Sequence, residues 1–267
     1  MTRPKILIQL DGDPQASVFD GVVAVDAGVD QLFRHHAVTP TQVRDLTYGA
    51  IFTRSPAELR NTAIFVGGSD VAHGEQLLSE VVESFFGPMR VSVMLDANGA
   101  NTTAAAAVIA ASRHVKLANT TALVLAATGP VGQRAVHLLA SAGAQVRVAS
   151  RRLERAAETC QRVRDKVEGA NVTEVAVHDA ETLRSALAEV SIVIAAGAAG
   201  VELLPAAARQ QADALQVAID LNAVSPLGIE GMQATDKAGE RDRVTCPRRL
   251  TVGGTRTKSH KGAIAQW

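Results

Sequence analysis

The stretch TALVLAATGPVG, residues 121–132, decides the fold of this chain. Its first residues form a short apolar run rich in Val and Leu, which is typical of a buried strand. A turn of small residues follows, and Val131, Ala135 and Leu138 then recur at the spacing of one helix face. Gly143 stands where such a helix would end. A strand, a glycine turn and a helix in this order predict the start of a dinucleotide-binding unit.

Strands and helices alternate on both sides of this turn. Further strands are predicted from apolar runs at 5–10, 62–66, 90–95, 146–149, 172–177, 190–196 and 215–220. The run 20–27 suits a strand or a buried helix, and the polar segment 235–249 indicates a solvated loop. This alternation predicts an α/β fold with parallel sheets covered on both faces. We expect a smaller N-terminal α/β domain over residues 1–115 and a Rossmann-type NAD(P)-binding domain over 116–267.

Composition narrows the possible functions. The 267 residues include 27 Lys and Arg and 27 Asp and Glu, so the formal net charge is zero. Nucleic-acid phosphates are bound by an excess of cationic side chains, so we expect no nucleic-acid partner. Cys160 and Cys246 form no metal or redox motif, and no metal is expected. No apolar run suits a signal peptide or a membrane helix, which predicts a cytoplasmic protein without a membrane partner.

The glycine turn matches the dinucleotide fingerprint in its context. Gly129 and Gly132 occupy the second and third glycine positions of G-x-G-x-x-G, and Ala127 stands at the first. Gly129 would let the backbone approach a pyrophosphate, and the helix N-terminus would supply oriented N–H groups. A turn that serves packing alone is the alternative. We favour cofactor binding, with the candidate residues Thr128, Gly129, Pro130, Val131 and Gly132.

The end of the next predicted strand bears on the choice of nucleotide. Sites that prefer NAD commonly place Asp or Glu about 20 residues after the glycine turn, where it bonds the ribose hydroxyls. This chain has Ser150, Arg151 and Arg152 there. Arginine pairs with a 2′-phosphate, which a carboxylate would repel. The alternative is a solvated helix start. We expect NADP as the cofactor, with NAD also usable.

Small and polar residues stand at the ends of two later predicted strands. Ala196 ends the run 190–196, Gly197 follows it, and Asn222 follows the run 215–220. Open α/β folds bind ligands outside the carboxyl ends of their strands. These three residues are therefore candidate cofactor contacts, with ordinary turn formation as the alternative.

Three further segments carry polar groups without a diagnostic spacing. SVFD at 17–20 puts an acid after the first strand, and DANGANTT at 96–103 puts amides and hydroxyls at a helix start. Each is more often a helix cap than a catalytic group. Arg256, Lys258 and His260 alternate, so they would form one cationic side of an extended segment or an ordinary basic tail. The chain has no GxSxG, HExxH or GxxxxGK[ST] motif.

Several longer stretches carry a family resemblance. They are SVFD (17–20), AIFVGGSD (63–70), FFGPMRVSVMLDANGANTTAAA (85–106), ATGPVG (127–132), AGAAGVELLP (196–205) and PLGIEGMQATDK (226–237). Together they resemble the NADP-dependent methylene-tetrahydromethanopterin and methylene-tetrahydrofolate dehydrogenases of bacterial one-carbon metabolism. The matches run almost from end to end, and a generic Rossmann protein would not contain the stretch at 85–106.

The resemblance implies a partner, a site and an assembly. The partner is a reduced pterin carrier of one-carbon units, tetrahydromethanopterin or tetrahydrofolate, in an interdomain cleft between a substrate domain and the NADP domain. The resemblance places the substrate near Phe19, Asp20, Thr102, Thr103 and the segment 256–260. The candidate catalytic residues are Asp20, Lys258 and His260, and the candidate substrate contacts are Phe19, Asn98, Thr102, Thr103 and Arg256. It also implies a homotrimer or a dimer of trimers. The family has Lys at the position of Arg256 and continues for about one helix past the position of Trp267.

The implied reaction is a hydride transfer. The reacting carbon is a CH₂ between two nitrogens, and loss of hydride leaves a methenyl cation that both nitrogens stabilise. No O–H or N–H proton has to leave, so no general base is required, and placement and electrostatics carry the catalysis. Asp20 is the candidate carboxylate that favours the developing cation.

Two alternatives remain open. One is a related two-domain NADP-dependent enzyme, such as a folate dehydrogenase/cyclohydrolase or a shikimate-type dehydrogenase. A cyclohydrolase usually activates water with a Lys–Tyr arrangement, and the lone Tyr48 has no suitably spaced Lys. The other is a non-catalytic NADP-binding sensor.

Overall fold

The chain divides into two compact units between Thr102 and Thr103. The computed structural model describes residues 3–222, 224–232, 239–241 and 244–246. The predicted domain boundary after residue 115 lies further along the chain, beyond the end of the Ala-rich helix. Each unit is built on its own sheet of parallel strands, with one antiparallel strand at the edge of the second sheet, which confirms the α/β class.

The N-terminal unit has a four-stranded sheet of parallel strands in the order β2-β1-β3-β4. The strands are β1 (Ile6–Asp11), β2 (Gln31–His35), β3 (Thr62–Gly67) and β4 (Ser92–Leu95). The helices are α1 (Val18–Asp26), α2 (Pro40–Ile51), α3 (Val71–Glu83) and α4 (Ala100–Ser112), the last of which crosses into the second unit. Because all four strands are parallel, their carboxyl ends lie along one edge of the sheet.

The local sequence explains these elements to different degrees. β3 is buried at every position, as its apolar run predicts. The ambiguous run 20–27 belongs to α1, where Ser17 Oγ accepts the Asp20 N–H at 3.3 Å and so caps the helix. β2 is an edge strand with mostly exposed residues, and it therefore lacks the apolar run by which the other strands are predicted.

The second unit has a seven-stranded sheet in the order β10-β11-β9-β8-β5-β6-β7. The strands are β5 (Thr121–Leu125), β6 (Gln145–Ser150), β7 (Val172–Ala176), β8 (Ile192–Ala195), β9 (Val217–Asp220), β10 (Gly239–Arg241) and β11 (Val244–Cys246). The helices are α5 (Pro130–Ser141), α6 (Leu153–Arg164), α7 (Ala180–Leu187) and α8 (Ala206–Gln210). Apart from β10, the strands follow the Rossmann order, with ligands expected where the order reverses beside β5.

One expectation about this sheet is wrong. The segment 235–249 contains two short strands, whereas its composition predicts a solvated loop. β11 pairs with β9 in parallel through Thr245 and Val217, and β10 pairs with β11 in antiparallel fashion. Three-residue strands with interspersed charges have no readable alternation, which is why the pattern fails here.

No helix within the described ranges has the length and apolar character that a membrane crossing needs. The same residues contain no group of three or more His, Cys, Asp or Glu side chains that could hold a metal ion.

Candidate functional site

The turn between β5 and α5 explains why alanine is accepted at the first fingerprint position. Its left-handed backbone falls on Ala126, with φ of 53°, and not on Ala127. Ala127 is fully buried, and its N–H donates to Ala149 O at 2.9 Å, which ties the turn to β6. Gly129 then serves as the N-cap of α5, with Pro130 at the first helical position.

The two glycines of the turn have different roles. A Cβ on Gly132 would lie 2.7 Å from Ala126 O and 2.8 Å from Ala127 Cα, so only glycine lets α5 lie this close to the turn. A Cβ on Gly129 would meet Ala126 O at 3.6 Å, which is an ordinary contact. Gly132 is therefore required for packing, whereas Gly129 leaves backbone accessible at a helix N-terminus.

A cavity of about 790 Å³ lies beyond the carboxyl ends of β5, β6 and β8. All of its described lining residues belong to the second unit. Five of the predicted cofactor residues line it, namely Thr128, Ser150, Arg151, Arg152 and Gly197. The others, Gly129, Pro130, Val131, Gly132, Ala196 and Asn222, are absent from its wall. The first four of these form the start of α5, and their predicted contacts with the cofactor stay predictions.

Three arginines give the cavity a cationic wall. Arg151, Arg152 and Arg155 are exposed and line it together, with Arg152 N donating to Ser150 Oγ at 3.2 Å. Arg155 lies one helical turn after Arg151, and its i+4 spacing is the sequence signal by which it could have been found. A 2′-phosphate is the kind of group that such a cluster binds.

The facing wall carries a carboxylate whose charge is already engaged. Asp179 lines the cavity and caps α7, accepting the Thr182 N–H at 2.8 Å. This backbone bond, followed by the Thr182 hydroxyl, lowers the pKa of Asp179 from its usual range. His178 Nε2 lies 3.4 Å from Asp179 Oδ2. Glu202 is a second, exposed acid in the described wall, so three arginines stand against two carboxylates, of which Asp179 is bound locally.

Two predicted cofactor residues have clear structural duties. Asn222 is 6% exposed, and its Nδ2 donates to Ala198 O at 3.4 Å and Pro226 O at 3.3 Å. A Cβ on Gly197 would lie 2.7 Å from Leu203 Cδ1, so a side chain there would require the Leu203 side chain to move. Both residues shape the loops after β8 and β9, and their contact with a cofactor stays a prediction.

At the carboxyl edge of the N-terminal sheet, a buried carboxylate orders the loop that presents α1. Asp11 is fully buried at the end of β1, where its Oδ2 accepts the Ser17 N–H and its Oδ1 the Asp13 N–H, both at 3.0 Å. Sequence reasoning missed Asp11, although an acid that ends an apolar strand is a readable signal. Through Ser17, Asp11 fixes the first turn of α1, which carries Phe19 and Asp20.

Asp20 lies close to Asp11 across a glycine. The Oδ2 atoms of both carboxylates are 3.4 Å from the point that a Cβ on Gly67 would occupy. Phe19, next to Asp20, is 47% exposed. The predicted acid and the predicted aromatic contact therefore share one turn at the edge of the sheet.

The segment after β4 separates into structural and accessible groups. Asp96 is buried and caps α4, accepting from Asn101 N at 2.9 Å and from Thr102 Oγ1 at 2.6 Å. Thr102 is 5% exposed, so its hydroxyl stabilises the helix start. Asn98 is exposed at φ 52°, and Thr103 is half-buried on α4. Asn98 is thus the accessible member of this predicted group within the N-terminal unit.

The remaining predicted residues, Arg256, Lys258 and His260, lie outside the described residues. Cys160 is buried, and desolvation raises the pKa of its thiol to about 11. A neutral, buried thiol is unsuited to nucleophilic chemistry.

The two glycines of the turn provide a matched test. Gly132→Ala should lower the free energy of unfolding by about 1–3 kcal/mol, because the added methyl group overlaps backbone atoms. Gly129→Ala should leave unfolding within about 0.5 kcal/mol of wild type. If Gly129 approaches a pyrophosphate, the same variant should weaken NADP binding. Urea unfolding and NADP titration separate the two effects, and equal destabilisation by both variants would contradict this division.

Known proteins resemble this chain in sequence and in fold. The family described as "Methylene-tetrahydromethanopterin dehydrogenase, N-terminal" matches residues 18–98. "Bifunctional protein MdtA" of Methylorubrum extorquens strain AM1 is 43% identical over 266 residues, covering 98% of this chain and 91% of that protein. Shikimate 5-dehydrogenase from Listeria monocytogenes has a TM-score of 0.59 at 14% identity, over 100% of this chain and 92% of that one. At that identity the likeness concerns the fold alone.

A second protein of the same Methylorubrum strain bears the name NAD(P)-dependent methylenetetrahydromethanopterin dehydrogenase. It is 32% identical over 223 residues, which cover 81% of this chain and 75% of that protein. The resemblance found in the sequence is therefore confirmed. This chain belongs to the family of NAD(P)-dependent methylenetetrahydromethanopterin dehydrogenases.

Proposed function

We propose that this chain is an oxidoreductase that oxidises methylene-tetrahydromethanopterin to its methenyl form by direct hydride transfer to NADP. The relative that is 32% identical bears the name of this activity. The structural observation that carries the proposal is the cavity of about 790 Å³ beside the glycine turn, with three arginines in its wall.

The residues present fit a dinucleotide carrying a 2′-phosphate. The turn at Ala126–Gly129 brings backbone and the N-terminus of α5 to the carboxyl end of β5. Arg151, Arg152 and Arg155 stand at the end of β6 and the start of α6, where the adenosine ribose is expected in this fold. NADP would be held between these two features, and NAD would use the same glycine turn without the phosphate pairing.

The chemistry divides between cofactor and protein. When bound, NADP supplies a nicotinamide carbon that accepts hydride. The protein has to orient the methylene carbon and exclude water, and it has to stabilise positive charge as the methenyl cation forms. Because no O–H or N–H bond is broken, this chain needs no general base. Asp20 is the residue proposed to face the developing cation, at a place fixed by Ser17 and Gly67.

The same proposal includes a second substrate, the assembly and further site residues. Methylene-tetrahydrofolate is a second substrate of the chain, and the active form is a homotrimer or a dimer of trimers in the cytoplasm. Phe19 and Asn98 contact the pterin. Lys258 and His260 act in catalysis, and Arg256 binds the substrate. The family membership supports each of these expectations.

Steady-state kinetics with two pterins crossed against two nucleotides test the function. We expect turnover of methylene-tetrahydromethanopterin with NADP, followed by absorbance of the reduced nicotinamide, and a lower kcat/KM with NAD. Formyl product would indicate a cyclohydrolase. Binding of NADP without turnover of either pterin would indicate a sensor, and either result would contradict the proposal.

The preference for NADP over NAD is tested with a double variant and a control. Replacing Arg151 and Arg152 together with Gln should lower kcat/KM for NADP about tenfold or more, since charged hydrogen bonds to the phosphate are lost. The value for NAD should stay within about twofold of wild type. Arg113→Gln removes an exposed charge outside the cavity and serves as the control.

The role of Asp20 gives a separate prediction. Asp20→Asn should lower the single-turnover rate of hydride transfer about tenfold or more, because the neutral amide no longer favours the cation. The affinity for NADP should not change. Asp26→Asn, on the same helix at its exposed last residue, is the matched control. A folded Asp20→Asn protein with an unchanged rate would remove Asp20 from this role.

A further inference from the structure

Two adjoining cavities lie at the carboxyl end of β2, apart from the cofactor cavity. Their volumes are about 420 Å³ and about 400 Å³. Arg34 and His36 line both cavities, and His35 lines the larger one. Because β2 is the edge strand of the N-terminal sheet, these side chains stand at a corner of that sheet. Of the residues assigned to the function proposed above, none that the structure describes lines either cavity.

The walls of these cavities offer positive charge and hydrogen-bond donors. Among the described lining residues, Asp45 is the one acid in the larger cavity, against Arg34, His35 and His36, and the smaller cavity has none. Gln42, also in the larger cavity, accepts the backbone N–H before α2 through its Oε1 at 2.8 Å. Its Nε2 amide is the donor end of that side chain. This combination suits carboxylate or phosphate oxygens.

Arg34 is held in place before any ligand arrives. Its Nε donates to Gln9 Oε1 at 3.1 Å, and its Nη2 donates to Ala16 O at 2.6 Å. Gln9 is 1% exposed, faces Arg34 across the β1–β2 ladder and donates to Asp11 Oδ2 at 3.2 Å. Within the described ranges, no hydrogen bond occupies the third nitrogen, Nη1. A guanidinium fixed through two nitrogens loses little freedom when the third binds an anion.

A strained turn connects the end of β2 with the loop that follows β1. Ala37 has φ of 50°, a conformation that costs a non-glycine residue about 1 kcal/mol or more. Its N–H donates to Asp13 O at 2.7 Å, and the Val38 N–H donates to Asp11 O at 3.0 Å. These bonds hold the turn after His36 against the loop that follows β1. Backbone strain of this kind is concentrated at ligand sites.

The corner also borders the helix turn proposed to contact the substrate. Arg34 Cζ is 3.4 Å from the point that a Cβ on Gly21 would occupy, and Gly21 directly follows Asp20. On this turn of α1, Asp20 faces β3 at Gly67, while Gly21 faces β2 at Arg34. A ligand that begins at Asp20 therefore has a fixed cation at the neighbouring residue.

We infer that these cavities form an anion subsite for the carboxylate or phosphate groups in the tail of the reduced pterin, with Arg34 as its main cation and His36 as its second. This inference rests on the function proposed above. The tail takes no part in the hydride transfer, so its contacts are equally strong in the ground state and the transition state. Such contacts lower KM and leave kcat unchanged.

Kinetics with intact and shortened substrates test the subsite. The two substrates are methylene-tetrahydromethanopterin and a methylene pterin that ends before the anionic groups of the tail. Arg34→Gln should raise KM for the intact substrate about tenfold with kcat unchanged. The shortened substrate should have the same KM with the variant as with wild type. Methylene-tetrahydrofolate, whose tail has only carboxylates, reports whether carboxylates suffice or phosphate is needed.

Two further variants keep the test decisive. His36→Gln leaves every described hydrogen bond in place and should raise KM for the intact substrate by a smaller factor, which covers a failure of Arg34→Gln to fold. Arg60→Gln is the control. It removes an exposed charge just before β3, at the amino ends of the parallel strands, whereas the cavities lie at the carboxyl end of β2. Unchanged KM in both cavity variants, or an equal rise with the shortened substrate, would overturn the inference.

A binding measurement separates this inference from the proposed function. Inorganic phosphate and citrate are titrated into the wild-type chain and into His36→Gln. NMR follows the His35 ring signal in both proteins and the His36 ring signal in the wild type. Saturable shifts that weaken in the variant would support the subsite even if neither pterin were turned over. If both pterins are turned over and the shifts are absent, the subsite fails and the proposed function stands.

Discussion

Helix α5 can approach strand β5 only because Gly132 has no side chain, and the cofactor site depends on this contact. A Cβ there would lie 2.7 Å from Ala126 O. The approach places the N-terminus of α5 at the carboxyl end of the sheet, beside the ends of β6 and β8. The arginines after β6 and the small residues after β8 thereby come to line one cavity. Cofactor recognition by these residues therefore depends on the close packing of α5 at Gly132.

The N-terminal unit uses a comparable constraint with different chemistry. Buried Asp11 binds two backbone N–H groups of the loop after β1, and the absence of a side chain at Gly67 leaves room for both Asp11 and Asp20. The same buried network continues through Gln9 to Arg34 at the edge strand. One set of hydrogen bonds therefore positions both the carboxylate proposed for catalysis and the cation proposed for the substrate tail.

The sequence predicts the strands and the glycine turn well, because buried parallel strands must be apolar and a helix can pack this closely only on glycine. It does not predict β2, whose exposed residues at the sheet edge carry no such constraint. Nor does it predict the pairing of Gln9 with Arg34, which depends on the register of two strands. The polar groups of Asn222 and Thr102 suggest ligand contacts in the sequence, and the structure places those groups in local hydrogen bonds. Polarity alone does not tell a helix cap from a ligand contact.

The proposed reaction is a direct hydride transfer that needs no general base. It is tested with methylene-tetrahydromethanopterin deuterated at the methylene carbon, with NADP in ordinary water. We predict that one deuterium per turnover is recovered at C4 of the reduced nicotinamide and none in the water. Loss of deuterium to water during turnover would mean that a proton, not a hydride, leaves the carbon, and it would contradict direct hydride transfer.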